Sequence, residues 1–287
     1  MPLVGIKEIL VEARSRRYGV LSLLAGNLEM VIGQIRAAEE LRAPLILAFS
    51  QELTPQVPLE LAMPCLVHAA SVAHVPVATI LDHGRDLETI VRAIRLGTSS
   101  VMFDGSRLPY EENVNCTREV VRIAHAVGVS VEAELGAIVG SAGSANSEAK
   151  GVDSLFTDPD LAADFVQRTN VDALAISFGN VHGRYQGNPS LDLRRLRAIR
   201  SRVDVPLSMH GASGLVDSLY REIVASGISK VCYYTAAGIR AASDLRQMLT
   251  QTGEGNVCYH EVIARAISFF QTDTKRLIDL VGCAGAV

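Results

Sequence analysis

Three histidines share one local context: His83-Gly84, His182-Gly183 and His210-Gly211. Neutral imidazole is a common zinc ligand, and three protein ligands with a fourth position left open define a catalytic zinc site. A lone histidine is more often a satisfied core or surface residue. Three of them, each followed by a glycine that lets backbone approach a bound ion or substrate, point to a metal. Carboxylates stand close by. Asp82 precedes the first histidine, and Asp104, Glu132 and Glu134 follow downstream. Glu132 and Glu134 are two apart, so on a strand they point to one side. Two buried carboxylates there need a cation between them, or an arginine partner for one. Asp104 and Glu134 are candidates to hold a second cation (Na+, K+ or a divalent ion) or to orient the histidines. The other four histidines, His68, His74, His125 and His260, fall in or at the ends of helix-patterned stretches and read as structural.

These residues are distant in the chain, so something must gather them. Short apolar runs recur at 19–23, 45–49, 77–81, 100–103, 129–134, 171–177, 205–209 and 228–232. Each is mostly continuous rather than alternating, as in strands of a parallel sheet covered on both faces. Between them lie amphipathic stretches of helical length, such as 27–41, 111–127, 161–167, 191–202 and 236–250. Strand alternating with helix about eight times predicts an α/β fold, a (β/α)8 TIM barrel spanning 1–287 as one domain. A doubly wound open sheet is the alternative, weakened because no G-x-G-x-x-G follows the first strand. Residues 254–287 read as a C-terminal helical extension, with 262–281 as a closing helix pair. The stretch 136–154, rich in Gly, Ser and Ala, reads as a long loop of the kind that serves as a lid, a binding loop or a disordered segment.

The barrel reading makes a test available, because such barrels carry their sites where the strands end. Ser50 follows the second run, Asp82 and His83 the third, and Asp104 the fourth. Glu132 and Glu134 end the fifth. Asn180 and His182 follow the sixth, His210 the seventh and Thr235 the eighth. Polar groups thus gather on one rim. The His-Gly-Ala-Ser-Gly run at 210–214, with Thr235, sits where barrels often bind phosphate through backbone N–H groups and helix N-termini. Ordinary helix capping by Ser213 is the plainer reading.

Composition narrows the partners. Of 287 residues 48% are hydrophobic and 20% charged, which excludes disorder as the main state. The net charge of −4 gives no basic excess for nucleic acid or an anionic membrane. The four lysines, Lys7, Lys150, Lys230 and Lys275, leave few candidates for Schiff-base chemistry. Five scattered cysteines without a C-x-x-C pair, and no signal-peptide core in the charged first twenty residues, predict a cytoplasmic protein. The uncharged stretch Leu61 to Leu81, broken by Pro64 and Pro76, reads as a buried helix running into a strand, not a membrane span.

At these residues the sequence resembles the class II, zinc-dependent ketose-bisphosphate aldolases, and within them the tagatose-bisphosphate branch. The most specific pieces are LDHGRDLETIVRAIRLGTSSVMFDGSRLPYEENV (81–114), VSVEAELG (129–136), FTDPDLAADFV (156–166), DALAISFGNVHGRYQGNPSLDLRRLRAIR (172–200) and VPLSMHGASGL (205–215). The resemblance implies a zinc on His83, His182 and His210, with Asp82 as acid/base and Asp104 and Glu134 matching a second cation site. It implies that Gly183, Gly211, Ala212, Ser213 and Thr235 cradle a phosphate and that Ser50 touches substrate. The implied reaction cleaves or forms a carbon–carbon bond of a phosphorylated ketose, giving dihydroxyacetone phosphate plus an aldehyde, and needs no lysine. The implied assembly is a homodimer or homotetramer. Glu148, the one glutamate of the long loop, stands later than the family's usual loop base. The chain also departs at Cys232-Tyr233-Tyr234, where the family has an asparagine-containing run, and at Leu23-Leu24, where it has Phe-Asn. Cys232 and Tyr234 therefore become candidate substrate contacts. The alternatives are an aldolase for another ketose phosphate (a deoxy or acid sugar), a noncatalytic sugar-phosphate-binding partner chain, or a metal-dependent hydrolase on the same barrel.

Overall fold

The structure, a computed structural model, describes residues 3–140, 148–149, 152, 155–253 and 256–287. The elements run α1 (Ile6–Arg16), β1 (Val20–Leu24), α2 (Leu28–Glu40), β2 (Leu45–Ser50), α3 (Leu59–Val72), β3 (Val77–Gly84), α4 (Leu87–Arg95) and β4 (Ser100–Phe103). There follow α5 (Tyr110–His125), β5 (Ser130–Leu135), β6 (Glu148–Ala149), α6 (Pro159–Thr169), β7 (Ala173–Ile176) and β8 (Arg184–Tyr185). The chain ends with α7 (Leu193–Arg200), β9 (Leu207–Met209), α8 (Asp217–Ser226), β10 (Ile228–Tyr233), α9 (Thr235–Thr252) and α10 (Tyr259–Val281).

Eight strands close into a parallel barrel in the order β1-β10-β9-β7-β5-β4-β3-β2. Closure excludes the open-sheet alternative. Every residue of β1, β2, β3 and β5 is buried, because helices cover the outside while side chains fill the inside. That double coverage explains the continuous apolar runs. The helices between strands start where short polar side chains cap them: Asn27 accepts from Met30 N–H, Asp86 from Thr89 N–H, and Asp158 from Asp160 and Leu161 N–H.

Two elements frame the barrel. Helix α1 packs against the N-terminal ends of the strands, its Ile6 N–H donating to Ser100 Oγ at 3.0 Å. Ile6, Ile9, Leu10 and Ala13 are buried there, so the lower mouth is plugged. At the other end of the chain, 262–281 is one continuous helix, α10, rather than a pair. Nothing in its sequence from Tyr259 to Val281 is a glycine or proline that would break it. Its buried stripe (Phe270, Thr274, Leu277, Ile278, Val281) lies against α2, where Lys275 Nζ reaches Glu40 at 2.5 Å. Pro64 sits inside α3, and the uncharged stretch is the α3–β3 unit of the barrel. Among the described residues no helix is long and apolar enough to cross a membrane.

Within 136–154, β6 pairs in parallel with β8, Glu148 opposite Arg184 and Ala149 opposite Tyr185. The Glu148 side chain, a candidate catalytic group, lies outside the described residues, as does most of that stretch.

Candidate active site

The site begins with an irregularity in β3. Neighbours on a strand normally face opposite sides, yet Asp82 and His83 both line one cavity. The β3–β4 register shifts between Leu81 and Gly84, and His83 takes a left-handed φ of 49°. This bulge turns both side chains inward. Gly84 then lies so close to β4 that a Cβ would stand 2.7 Å from the Met102 carbonyl oxygen. At Gly211, φ is +74° and a Cβ would stand 2.0 Å from the Val181 carbonyl oxygen. Both glycines let neighbouring backbone segments pack closely.

His83, His182 and His210 converge at the C-terminal mouth. Their ring centroids are 4.8 Å (His83–His182), 4.6 Å (His83–His210) and 5.9 Å (His182–His210) apart. One ring nitrogen from each lies within 4.8 Å of the others. Asp82 completes the cluster, with Oδ2 at 3.9 Å from His83 Nε2 and Oδ1 at 3.9 Å from His210 Nδ1. His83 Nε2, His182 Nε2 and Asp82 Oδ1 are buried without a hydrogen-bond partner among the described residues. Buried polar atoms are almost always paired. Three orphans on neighbouring side chains, two of them imidazole nitrogens, fit a divalent ion with an open coordination position.

The outward ring atoms are held. Asp104 Oδ2 lies 3.0 Å from His83 Nδ1, and Asp104 Oδ1 accepts from the Ser106 hydroxyl at 2.6 Å. Glu132 Oε1 lies 2.9 Å from His210 Nε2, and Lys230 Nζ donates to Glu132 Oε2 at 2.6 Å. A carboxylate behind a ligating histidine fixes its tautomer and raises its basicity. Burial works against charge on Asp104, but the His83 and Ser106 hydrogen bonds hold its carboxyl below the usual range. Burial likewise opposes the Glu132 carboxylate, and Lys230 and His210 outweigh it. Glu134 fares otherwise: burial, then the Asp104 charge, push it up to about 7. Its Oε2 has no partner among the described residues, and His83, Asp104 and Glu134 offer a second group of ligand atoms within 4.8 Å. Burial and the two neighbouring rings press His182 well below the ordinary histidine value.

Beside the histidines lies a cavity lined by Gly183, Gly211, Ser213, Cys232, Tyr234 and Thr235 together with Ser22, Leu24 and Ala48. Three consecutive carbonyls at its rim are tied back: His210 O accepts from Asn180 Nδ2 at 3.0 Å, Gly211 O from Tyr185 OH at 2.9 Å, and Ala212 O from Tyr220 OH at 2.7 Å. Ser213 does not cap its own helix. Its Oγ accepts from Tyr234 and Ala236 N–H, at the start of α9. Ala212 donates its N–H to Cys232 O and is buried outside the lining. Ser50 pairs in register with Asp82 but caps a short turn, its Oγ accepting from Glu52 N–H. Cys232 Sγ lies 3.8 Å from His210 Nε2. Sequence reasoning passes over Lys230, whose one signal is a lysine inside an otherwise apolar barrel run. It pairs with Glu132, where the sequence offers a shared cation or an arginine.

The fold and the site define an α/β barrel whose C-terminal mouth carries a histidine cluster able to hold a metal ion. A family model described as "Fructose-bisphosphate aldolase class-II" matches residues 4–286, and the chain belongs to that family. It is 35% identical over 285 residues, covering 99% of both chains, to the "D-tagatose-1,6-bisphosphate aldolase subunit GatY" of Klebsiella oxytoca. The crystal structure of the YdjI aldolase from Escherichia coli superposes with a TM-score of 0.87 at 32% identity, covering 99% of each chain. A fructose-bisphosphate aldolase from Campylobacter jejuni, at 20% identity and a TM-score of 0.80 over 98% of this chain and 96% of its own, shares the fold.

Proposed function

We propose that the chain is a zinc-dependent aldolase that cleaves and forms a carbon–carbon bond of a phosphorylated ketose, with dihydroxyacetone phosphate as the ketone fragment. The observation that carries this is the cluster of orphaned atoms, His83 Nε2, His182 Nε2 and Asp82 Oδ1, beside a cavity lined by Gly183, Gly211, Ser213 and Thr235. Zinc would be held by His83, His182 and His210, and when bound it supplies a Lewis acid worth several kcal/mol to charge developing on the substrate carbonyl. Asp82 takes the proton of the hydroxyl on the carbon being released. That proton loss lets the aldehyde form as the carbon–carbon bond breaks, and the bonding electron pair passes to the ketone fragment, which is then reprotonated. Gly183, Gly211, Ser213 and Thr235 hold the phosphate and so fix the ketone end. The tied-back carbonyls of residues 210–212 keep acceptors away from that anion.

The other wall of the cavity favours a ketose phosphate other than fructose or tagatose bisphosphate. Leu24, Ala48, Cys232 and Tyr234 line it, and none offers an amide. A substrate with fewer hydroxyls on that side, a deoxy sugar for instance, fits this lining. The test is metal analysis of the purified chain followed by a retro-aldol assay over a panel of ketose phosphates. About one zinc per chain with aldehyde release supports the reading. A chain that takes up no zinc and cleaves none of the panel overturns it. Cys232→Asn should raise cleavage of fructose or tagatose bisphosphate relative to the other sugars.

A further inference from the structure

Of the lysines, Lys230 has the least accessible side chain among the described residues: it is wholly buried, on a barrel strand two positions before Cys232. Its Nζ sits 2.6 Å from Glu132 Oε2, and that carboxylate is wholly buried as well. The other oxygen, Oε1, lies 2.9 Å from His210 Nε2, and the opposite ring nitrogen, Nδ1, faces Asp82. A buried ion pair is weak support for stability, because desolvating both charges offsets most of their attraction; apolar residues of the same volume often do as well. Its place in this barrel needs another reason. A lysine in an aldolase barrel also invites a Schiff-base role, but this ammonium is committed to Glu132 and has no exposed surface.

We infer that Lys230 is a positioning residue that sets the metal affinity of the histidine cluster: its ammonium, bonded to one oxygen of Glu132, holds the other against His210, so that His210 donates through Nε2 and presents Nδ1 to the ion. This rests on the three-histidine metal site proposed above. Without the ammonium, Glu132 is a lone charge in the barrel interior. With nothing to hold it in place it swings away from His210, which loses the acceptor that fixed its ring.

The experiment is zinc competition against a chromogenic chelator on the full chain. It compares the native protein with Lys230→Met, Glu132→Gln and the double variant, with near-ultraviolet circular dichroism confirming the fold of each. Lys230→Met should bind zinc about 10- to 100-fold more weakly, the usual loss when the partner behind a ligand is disturbed. The double variant should recover most of that loss. The neutral amide that Glu132→Gln introduces still offers an oxygen to the His210 proton, and no charge is left unpaired. Should Lys230→Met not fold, the double variant carries the test, since replacing both charges avoids the unpaired one. A folded Lys230→Met with native zinc affinity overturns the inference, as does a folded double variant that binds tenfold or more weakly than native. A native chain that binds no zinc instead removes the metal reading itself. In addition, borohydride with a ketose phosphate should leave no adduct on Lys230; a trapped adduct would assign the lysine a covalent role.

Discussion

The barrel contains the same three residue types twice, a histidine, a carboxylate and a lysine, once at each end. At the lower mouth His125 Nε2 lies 2.7 Å from Asp172 Oδ2 and Lys7 Nζ 3.0 Å from Asp172 Oδ1. At the upper end His210 Nε2 lies 2.9 Å from Glu132 Oε1 and Lys230 Nζ 2.6 Å from Glu132 Oε2. The distances barely differ, but the surroundings do. The Lys7 and His125 side chains are 62% and 30% exposed, whereas those of Lys230, Glu132 and His210 are 0, 0 and 2%. Asp172 also accepts from Val131 N–H at 2.8 Å, so the lower cluster staples one strand to the next. The upper cluster leads on to Asp82, His83 and His182, whose inward atoms have no partner among the described residues. Residue type and pairing therefore do not make a site. Burial with unpaired donor atoms converging on a cavity does.

The sharpest way to break that comparison is to remove one histidine from each end. His182→Ala should abolish zinc retention and lower aldolase turnover by roughly 10³-fold or more, matching several kcal/mol of charge stabilisation. His125→Ala should leave zinc content and turnover per folded molecule unchanged. Metal analysis and the retro-aldol assay read both. Equal losses at the two ends would mean that convergence is not what matters. Next in size is Asp82→Ala, which should keep the zinc and lose about 10²- to 10⁴-fold in turnover, the range for a positioned acid/base. Normal cleavage by that variant would remove Asp82 from the proton transfer.

How much of this contrast can be read in the sequence depends on what each feature requires. The eight strands follow from continuous apolar runs, since double coverage leaves a one-dimensional signal. The three histidines are legible because strand ends fall on one rim in this fold, and each histidine follows an apolar run. The bulge at His83 is not legible. Alternation would put Asp82 and His83 on opposite faces, and only the register against β4 shows that both turn inward. Glu132 is legible as a buried carboxylate in need of a partner, but the sequence offers a cation shared with Glu134 or an arginine, not a lysine. Lys230 lies 98 residues away, and only barrel closure brings β10 and β5 to the same interior layer. The sequence pattern splits α10 in two because its apolar stripe is interrupted by polar residues such as Gln271 and Asp273. These pair with α2 and α9 side chains rather than mark a turn.

A prediction of intermediate size concerns the metal-free protein. Glu134 is pushed up to about 7 by burial and by Asp104, against about 4.5 in the unfolded chain. Between those values the folded state binds more protons than the unfolded one, so stability is present below about 4.5 and falls as pH rises through 7. The loss is on the order of 3 kcal/mol. Glu134→Gln should flatten that fall, seen as a higher melting temperature at pH 8 than the native chain in the presence of chelator, and little difference at pH 4.5. Asp172→Ala at the lower end should destabilise by about 1–3 kcal/mol, because it leaves the Val131 N–H unpaired. Its turnover per folded molecule should be native, and Asp172→Asn, which keeps an acceptor, should recover part of the stability.

The smallest effect is expected where the comparison is most direct, at the two lysines. Lys7→Met removes an ammonium 3.0 Å from a buried carboxylate, the same change of type as Lys230→Met. Yet the Lys7 side chain is 62% exposed, so water screens the pair and already solvates the ammonium. Asp172 keeps the Val131 N–H and His125 after the substitution, so its charge is not left alone. Lys7→Met should therefore change stability by no more than about 1 kcal/mol in chemical denaturation and leave zinc affinity unchanged. A loss of zinc affinity comparable to that of Lys230→Met would mean that charge anywhere along the barrel axis tunes the cluster. A selective loss at Lys230 places the control in the dry contact behind His210.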